Sequence, residues 1–383
     1  MKLSLVEYQG RQDTTGRPVG HAPKVLAQYF EIVQGSFDTD IFAPECILKE
    51  SEKKLSDRKA WDERKKSKNI HILPNSLTMK GKNSFSDKVL NKFRMFSNIN
   101  KALKNSQADV VWFFNTEYYL MLYLAVVGNH GKKVCVTSFM EGFTAKKNGK
   151  FAGIKQKIFE KAQKKISVII ATGYGYNFKN AKSVYVPDYT YDESIYGKYI
   201  DGTCSVETDI AIPEGKYAVC LGTMNPEKQL EEMTEAFSRI GYPLVVAGRF
   251  YDKERLERLR DMAADNVTFI DSYLSVDEYY TLLAKAEYTV LPYSPEQYST
   301  QTSGVLQESV FCGTIPVSYS RVLDGNRVKG VGFENFDKLR PEDLEITSEK
   351  RQEYLDEYAR LRRDVYDKNK IENDLREALA GCV

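Results

Sequence analysis

The stretch KYAVCLGTMNPEKQLEEMTEAFSRIGYPLVVAGR, residues 216–249, decides the fold. Residues 216–222 are a short apolar run closed by Gly222, and 243–248 are a second such run closed by Gly248. Between them, 229–240 carries apolar side chains at helical spacing. Continuous apolar runs read as strands buried on both faces, and an intervening helix makes the two strands parallel. The pattern continues with a helix over 253–264, a strand over 267–270 and a helix over 275–286. That helix opens on Ser275, and Glu278 completes a capping box. A strand over 288–293, a helix over 303–312 and a strand over 315–318 follow.

The same alternation runs upstream. A strand over 2–8 leads through Gly10, Gly16 and Gly20 to a helix over 22–33. Strands are expected over 109–115, 133–138, 167–172 and 183–186, with helices over 117–127 and 151–165. A polar stretch with Gly and Pro, 189–215, interrupts the alternation. The expected class is α/β, with two Rossmann-like, doubly wound parallel-sheet domains facing a cleft. The domains are 1–195 and 216–345, joined by a linker over 196–215. A charged helical tail, 346–383, is expected to cross back onto the first domain. Ligands of such sheets sit at the carboxyl ends of the strands.

Composition narrows the class. The chain has 383 residues, 42% hydrophobic and 28% charged, which excludes collagen-like, disordered and coiled-coil chains. The longest apolar run, 118–127, is about half of the ~20 residues that span a bilayer. The first ten residues read as a strand and not as a signal peptide. Six scattered cysteines without a Cys-x-x-Cys pair point to reduced thiols and a cytoplasmic location. Three histidines cannot build a His-rich metal site, and Asp38-Thr39-Asp40 lies far from any expected switch point. The net charge of +2 hides an asymmetry: residues 1–200 hold 33 basic and 19 acidic residues, and 201–383 hold 22 and 34. Much of the positive excess lies within 49–104. It points to an anionic partner, such as the inner face of the cytoplasmic membrane or a lipid-linked phosphate. No nucleic-acid-binding motif accompanies it.

Several residues suit an anionic ligand. Gly222-Thr223 and Lys228 stand in the turn after a strand, where a lysine can serve a diphosphate as a point charge. Arg249 offers a second cation after the next strand. Thr302 or Ser303 can cap the helix that follows Thr300, and Gly304 and Val305 leave amides free in its first turn. Glu308, one turn on, can accept from ribose hydroxyls. In the first half, Gly16, Arg17, Gly20 and His21 form a loop that can reach over a ligand, and Glu141 after a strand end can act as acid or base.

Taken together these residues resemble retaining GT-B glycosyltransferases, especially glycosyltransferase family 4, over 216–320 and in layout over 1–190. The resemblance makes Lys228 the lysine of a Pro-Glu-Lys turn on the donor diphosphate and Glu308 the ribose carboxylate. It likens 266–274, with Tyr273 and Leu274, to the base-contacting segment. Thr223 and Thr300 stand where the family has arginine and glutamate. It implies transfer of a sugar from a nucleoside diphosphate sugar, with UDP-sugar favoured. The acceptor is a hydroxyl of a lipid-linked or polysaccharide molecule in cell-surface polysaccharide biosynthesis, with retention and without metal or other cofactor. A sugar-nucleotide epimerase or hydrolase of the same fold, and a nucleotide-binding protein without turnover, remain alternatives.

Overall fold

The first strand of the computed structural model, β1 (Lys2–Val6), is buried almost throughout and pairs in parallel with neighbours on both sides. The structure describes residues 1–78, 84–139, 152–174, 176, 178–200, 210 and 212–381. It divides into two units: Met1–Val186 with Asn369–Val383, and Pro187–Lys368.

In the first unit β1 is followed by β2 (Arg11–Gln12), α1 (Ala22–Val33), β3 (Asp38–Pro44), α2 (Glu45–Lys53), α3 (Lys59–Lys66), β4 (Ile70–Leu73) and β5 (Leu77–Thr78). Then come α4 (Phe85–Asn105), β6 (Val110–Phe113), α5 (Tyr118–Val126), β7 (Lys133–Ser138), α6 (Ala152–Gln163), β8 (Val168–Ala171) and β9 (Lys182–Tyr185). Seven of these strands form a parallel sheet in the order β4-β3-β1-β6-β7-β8-β9, and β2 pairs with β5 apart from it. Alternate strand residues enter opposite cores. Leu3, Leu5 and Trp112 join α1 and α2 on one face, while Val6, Val111 and Phe113 join α4, α5 and α6 on the other. Strands used on both faces have no polar side, which is why they read as unbroken apolar runs.

The second unit holds α7 (Glu193–Ile200), β10 (Ala218–Leu221), α8 (Leu230–Ile240), β11 (Leu244–Gly248), α9 (Lys253–Met262), β12 (Val267–Asp271) and α10 (Val276–Lys285). After these come β13 (Tyr288–Val290), α11 (Pro295–Tyr298), α12 (Gly304–Cys312), β14 (Ile315–Tyr319), α13 (Ser320–Asn326), β15 (Val331–Phe333) and α14 (Ser348–Asp364). Its six parallel strands are ordered β12-β11-β10-β13-β14-β15. In both sheets the order reverses beside the first strand of the unit, which places switch points between β1 and β6 and between β10 and β13.

The division falls at Pro187, ahead of the expected linker 196–215, and the start of that stretch is helical in α7. Residues 201–209 and 211 of the linker lie outside the described residues. The tail is also divided. Tyr354, Tyr358 and Leu361 of α14 are buried in the second unit. Only the last helix, α15 (Lys368–Ala380), enters the first, through Ile371, Leu375, Ala378 and Leu379. Among the described residues no helix is long and apolar enough to cross a membrane.

Candidate functional site

The switch point of the second unit is built from the ends of β10 and β13. The turn after β10 returns across the sheet edge. Gln229 N donates to Pro292 O at 2.9 Å, and Lys228 forms a lone bridge with Tyr293. This buries the Lys228 side chain under the strand end. Its Nζ donates to Leu221 O at 2.8 Å, touches Met224 Sδ at 3.7 Å, and stands 5.9 Å from the Tyr293 ring centre. No carboxylate pairs with it among the described residues. Loss of hydration pushes its pKa below the ordinary lysine range. A buried ammonium with one backbone acceptor is an anion site in waiting, since burial without a counter-charge is costly.

Glycine makes room for this arrangement. Gly248, at the end of β11, has φ +148°, and a Cβ there would lie 1.9 Å from Gly222 O. Gly222 in turn presents open backbone to Lys228, with Nζ 3.8 Å from where its own Cβ would be.

The start of α12 reaches the same tyrosine. Ser303 is the N-cap. Its Oγ accepts from Leu306 N at 3.3 Å and lies 3.2 Å from the Tyr293 hydroxyl. The amides of Gly304 and Val305 have no partner among the described residues, so two donors remain at the positive end of the helix. Tyr189 covers this end. A Cβ on Gly304 would lie 2.5 Å from Tyr189 Cε2, and Tyr189 N donates to Gln307 Oε1 at 2.9 Å.

Glu308 is buried, and both its oxygens accept from tyrosines of α10. Tyr279 Oη lies at 2.7 Å from Oε2 and Tyr280 Oη at 2.8 Å from Oε1. Burial first, and the Glu308 carboxylate second, push both phenols far above their usual pKa, so they stay donors. The carboxylate is therefore oriented by protein before any ligand arrives. Sequence reasoning did not anticipate Tyr189, Tyr279 or Tyr280. The one local signal was that Tyr279 and Tyr280 lie in the helix opened by the Ser275–Glu278 capping box, which the structure contains.

The other predicted residues of the second unit are less buried. Arg249 is exposed, with its guanidinium 5.1 Å from the Tyr251 ring centre, and only its carbonyl joins the turn, accepting from Met224 N at 2.9 Å. Thr223 and Thr300 are exposed, and Thr302 is half-buried. Tyr273 is exposed, while Leu274 packs on the core.

In the first unit the loop carrying Gly16, Arg17 and Gly20 is a closed turn. Asp13 Oδ1 accepts from Thr15 N at 2.8 Å and Arg17 N at 3.0 Å, and Val19 N donates to Arg11 O at 2.9 Å. His21 caps α1 through its backbone and is exposed. Glu141 lies outside the described residues. At the switch point beside β1, buried Glu7 accepts from Gln9 N at 2.8 Å and Gly10 N at 3.3 Å, and burial pushes its pKa up. Arg11 pairs with Glu117 there. Asp38 pairs with Arg64 at 2.7 Å and Asp40 with Lys2 at 3.0 Å.

No known protein family matches the chain by sequence, and no curated protein does. Solved structures match over its whole length. The N-terminal domain of Candida albicans trehalose-6-phosphate phosphatase is 11% identical, covers 100% of this chain and 97% of its own, and has a TM-score of 0.67. The catalytic domain of starch synthase IV from Arabidopsis thaliana, bound to ADP and acarbose, is 11% identical over 100% and 99%, with 0.62. HepE from Anabaena, in complex with UDP and glucose, is 13% identical over 99% of each chain, with 0.58. The likeness is one of fold, and that fold is GT-B.

Proposed function

We propose that this chain is a glycosyltransferase resembling family 4. It moves a sugar from a nucleoside diphosphate sugar, with UDP-sugar favoured, to a hydroxyl of a lipid-linked or polysaccharide acceptor. The observation that carries the reading is the buried, carboxylate-free Lys228 at the switch point, beside the open amides of α12. As the glycosidic bond breaks, negative charge gathers on the leaving diphosphate. Lys228 and the Gly304 and Val305 amides are fixed donors for that charge, and Arg249 is a mobile one from the rim. Glu308, held by Tyr279 and Tyr280, meets the ribose. HepE, solved with UDP, and starch synthase IV, solved with ADP, share the fold, which supports a nucleoside diphosphate donor. Retention, independence of metal, and a role in cell-surface polysaccharide synthesis at the inner membrane face complete the proposal.

A thermal-shift series with UDP, GDP, ADP and their sugars tests it. UDP should raise the melting temperature of the wild type and of Glu308→Gln, the latter less. Lys228→Met should lose the shift and cost about 2–4 kcal/mol in turnover. A full shift in Lys228→Met refutes the site. One observation favours nucleotide binding without transfer: Thr223 and Thr300 stand where the resembled family has arginine and glutamate. A UDP shift with no product from any donor would select that reading.

A further inference from the structure

The densest basic run of the first unit is partly paired with carboxylates at the surface, while the side chains of Arg58, Lys59, Lys66 and Lys68 have no carboxylate partner among the described residues. Lys49 pairs with Glu45, Lys53 and Lys54 with Glu50, Arg64 with Asp38 and Lys65 with Glu52. Lys80 and Lys82 lie outside the described residues. On α4 and α6, Lys88, Lys92, Arg94, Lys155 and Lys157 also have no carboxylate partner among the described residues.

The same helices expose apolar side chains. The N-terminal half of α4, 85–94, has no buried residue, and its buried face begins only at Met95. Phe85 is 83% exposed, Phe93 71% and Leu90 48%. At about 100° per residue, Phe85, Val89, Leu90 and Phe93 fall within an arc of roughly 140°, bordered by Lys88 and Lys92 on one side and Arg94 on the other. This half-helix is secured by its capping box instead of by burial. Ser84 Oγ accepts from Asp87 N at 3.1 Å, and Asp87 Oδ2 accepts from Ser84 N at 3.2 Å. The patch continues onto its neighbours. Lys92 Nζ is 5.6 Å from the Tyr119 ring centre, Tyr119 meets Tyr118 edge-on, and Lys155 Nζ is 5.6 Å from Tyr118. Ile154, next to Lys155, is 58% exposed. α5 follows β6 directly, so its start, with Tyr118 and Tyr119, borders the carboxyl edge of the first sheet, where ligands of such sheets bind.

Exposed aromatic side chains rimmed by unpaired lysines have the chemistry of the headgroup layer, with apolar surface for the acyl boundary and cations for lipid phosphates. We propose that the starts of α4, α5 and α6 form a docking face for an anionic phospholipid bilayer. Phe85 and Phe93 enter the interface, and Lys88, Lys92 and Lys155 hold phosphates. The proposal deepens the membrane part of the function proposed above and rests on it. It places the contact on α4 and α6, whose cations stand beside exposed apolar side chains, and not on α2 and α3, which expose no large apolar side chain.

Sedimentation of the full chain with phosphatidylcholine vesicles, with and without about one third phosphatidylglycerol, tests it. The wild type should pellet with the anionic vesicles only. Phe85→Ser with Phe93→Ser should weaken binding roughly tenfold, and Lys92→Glu with Lys155→Glu at least roughly fivefold per lysine. Lys49→Glu with Lys65→Glu should bind as the wild type does. Phe93→Trp fluorescence should shift to the blue on anionic vesicles. Absence of wild-type binding, or full binding by the double Phe variant, overturns the proposal. So does a dimer that the Phe variant dissolves without any vesicle binding, which would make the patch a contact between copies. UDP thermal shifts on the same variants should match the wild type. Vesicle binding without any UDP shift would sink the transferase reading and leave the docking face standing.

Discussion

Lys228 sets a pH dependence whose sign can be worked out. Its pKa in the fold lies below the ordinary 10.5, and the cause is burial. Between the lowered value and 10.5 the unfolded chain binds the extra proton and the folded chain does not, so ligand-free stability rises with pH across that window. A bound diphosphate restores the ammonium. Binding therefore takes up a proton there, and UDP affinity should fall as pH climbs through the window. Calorimetry in buffers of different ionisation enthalpy would measure that uptake, and Lys228→Met should abolish it. The same variant should raise ligand-free stability by about 1 kcal/mol, because a buried charge without a counter-charge is removed. Of the candidate residues, Lys228 and Ser303 were legible because each sits at a strand–turn–helix junction whose geometry is local. The environment of Glu308 was not, because Tyr279 and Tyr280 meet it through the packing of α10 on α12, which no spacing in the chain encodes.

At the level of elements, α12 depends on two small features at its start. Ser303→Ala removes the cap and should cost about 1 kcal/mol. Gly304→Ala drives a methyl into the Tyr189 ring and should cost roughly 1–3 kcal/mol, even though alanine is the better helix former. Combining Gly304→Ala with Tyr189→Ala should recover part of that loss. Chemical denaturation of the four proteins measures the coupling, and strict additivity would mean the ring does not guard the helix start. The central strands were legible from their unbroken apolar runs and the start of α10 from the Ser275–Glu278 spacing, but the short edge strands β4 and β15 were not, and the cap of α12 was legible only as Thr302 or Ser303. The loop 11–20 was legible only as a glycine-rich turn. Its tight closure comes from one carboxylate, Asp13, accepting from neighbouring amides and the Thr15 hydroxyl, which lowers its own pKa.

At the scale of the whole molecule, α15 completes the first unit from the far end of the described chain. Four of its side chains, Ile371, Leu375, Ala378 and Leu379, are buried there. Stopping the chain after Asp367 should cost that unit roughly 5 kcal/mol, a large part of a domain's net stability. Limited proteolysis should then digest the first unit and spare a fragment beginning near Pro187. Equal protection of both units would refute this. The tail was legible as helix from its charge pattern, but its division between two cores was not. α14 and α15 are both amphipathic, and only the tertiary partner tells them apart. The arrangement also orders the protein's birth. Translation must run through all of Pro187–Lys368 before the strands made first receive their final cover. Until then a greasy seam stays open to chaperones and proteases, so a ribosome that stalls early leaves a product marked for disposal.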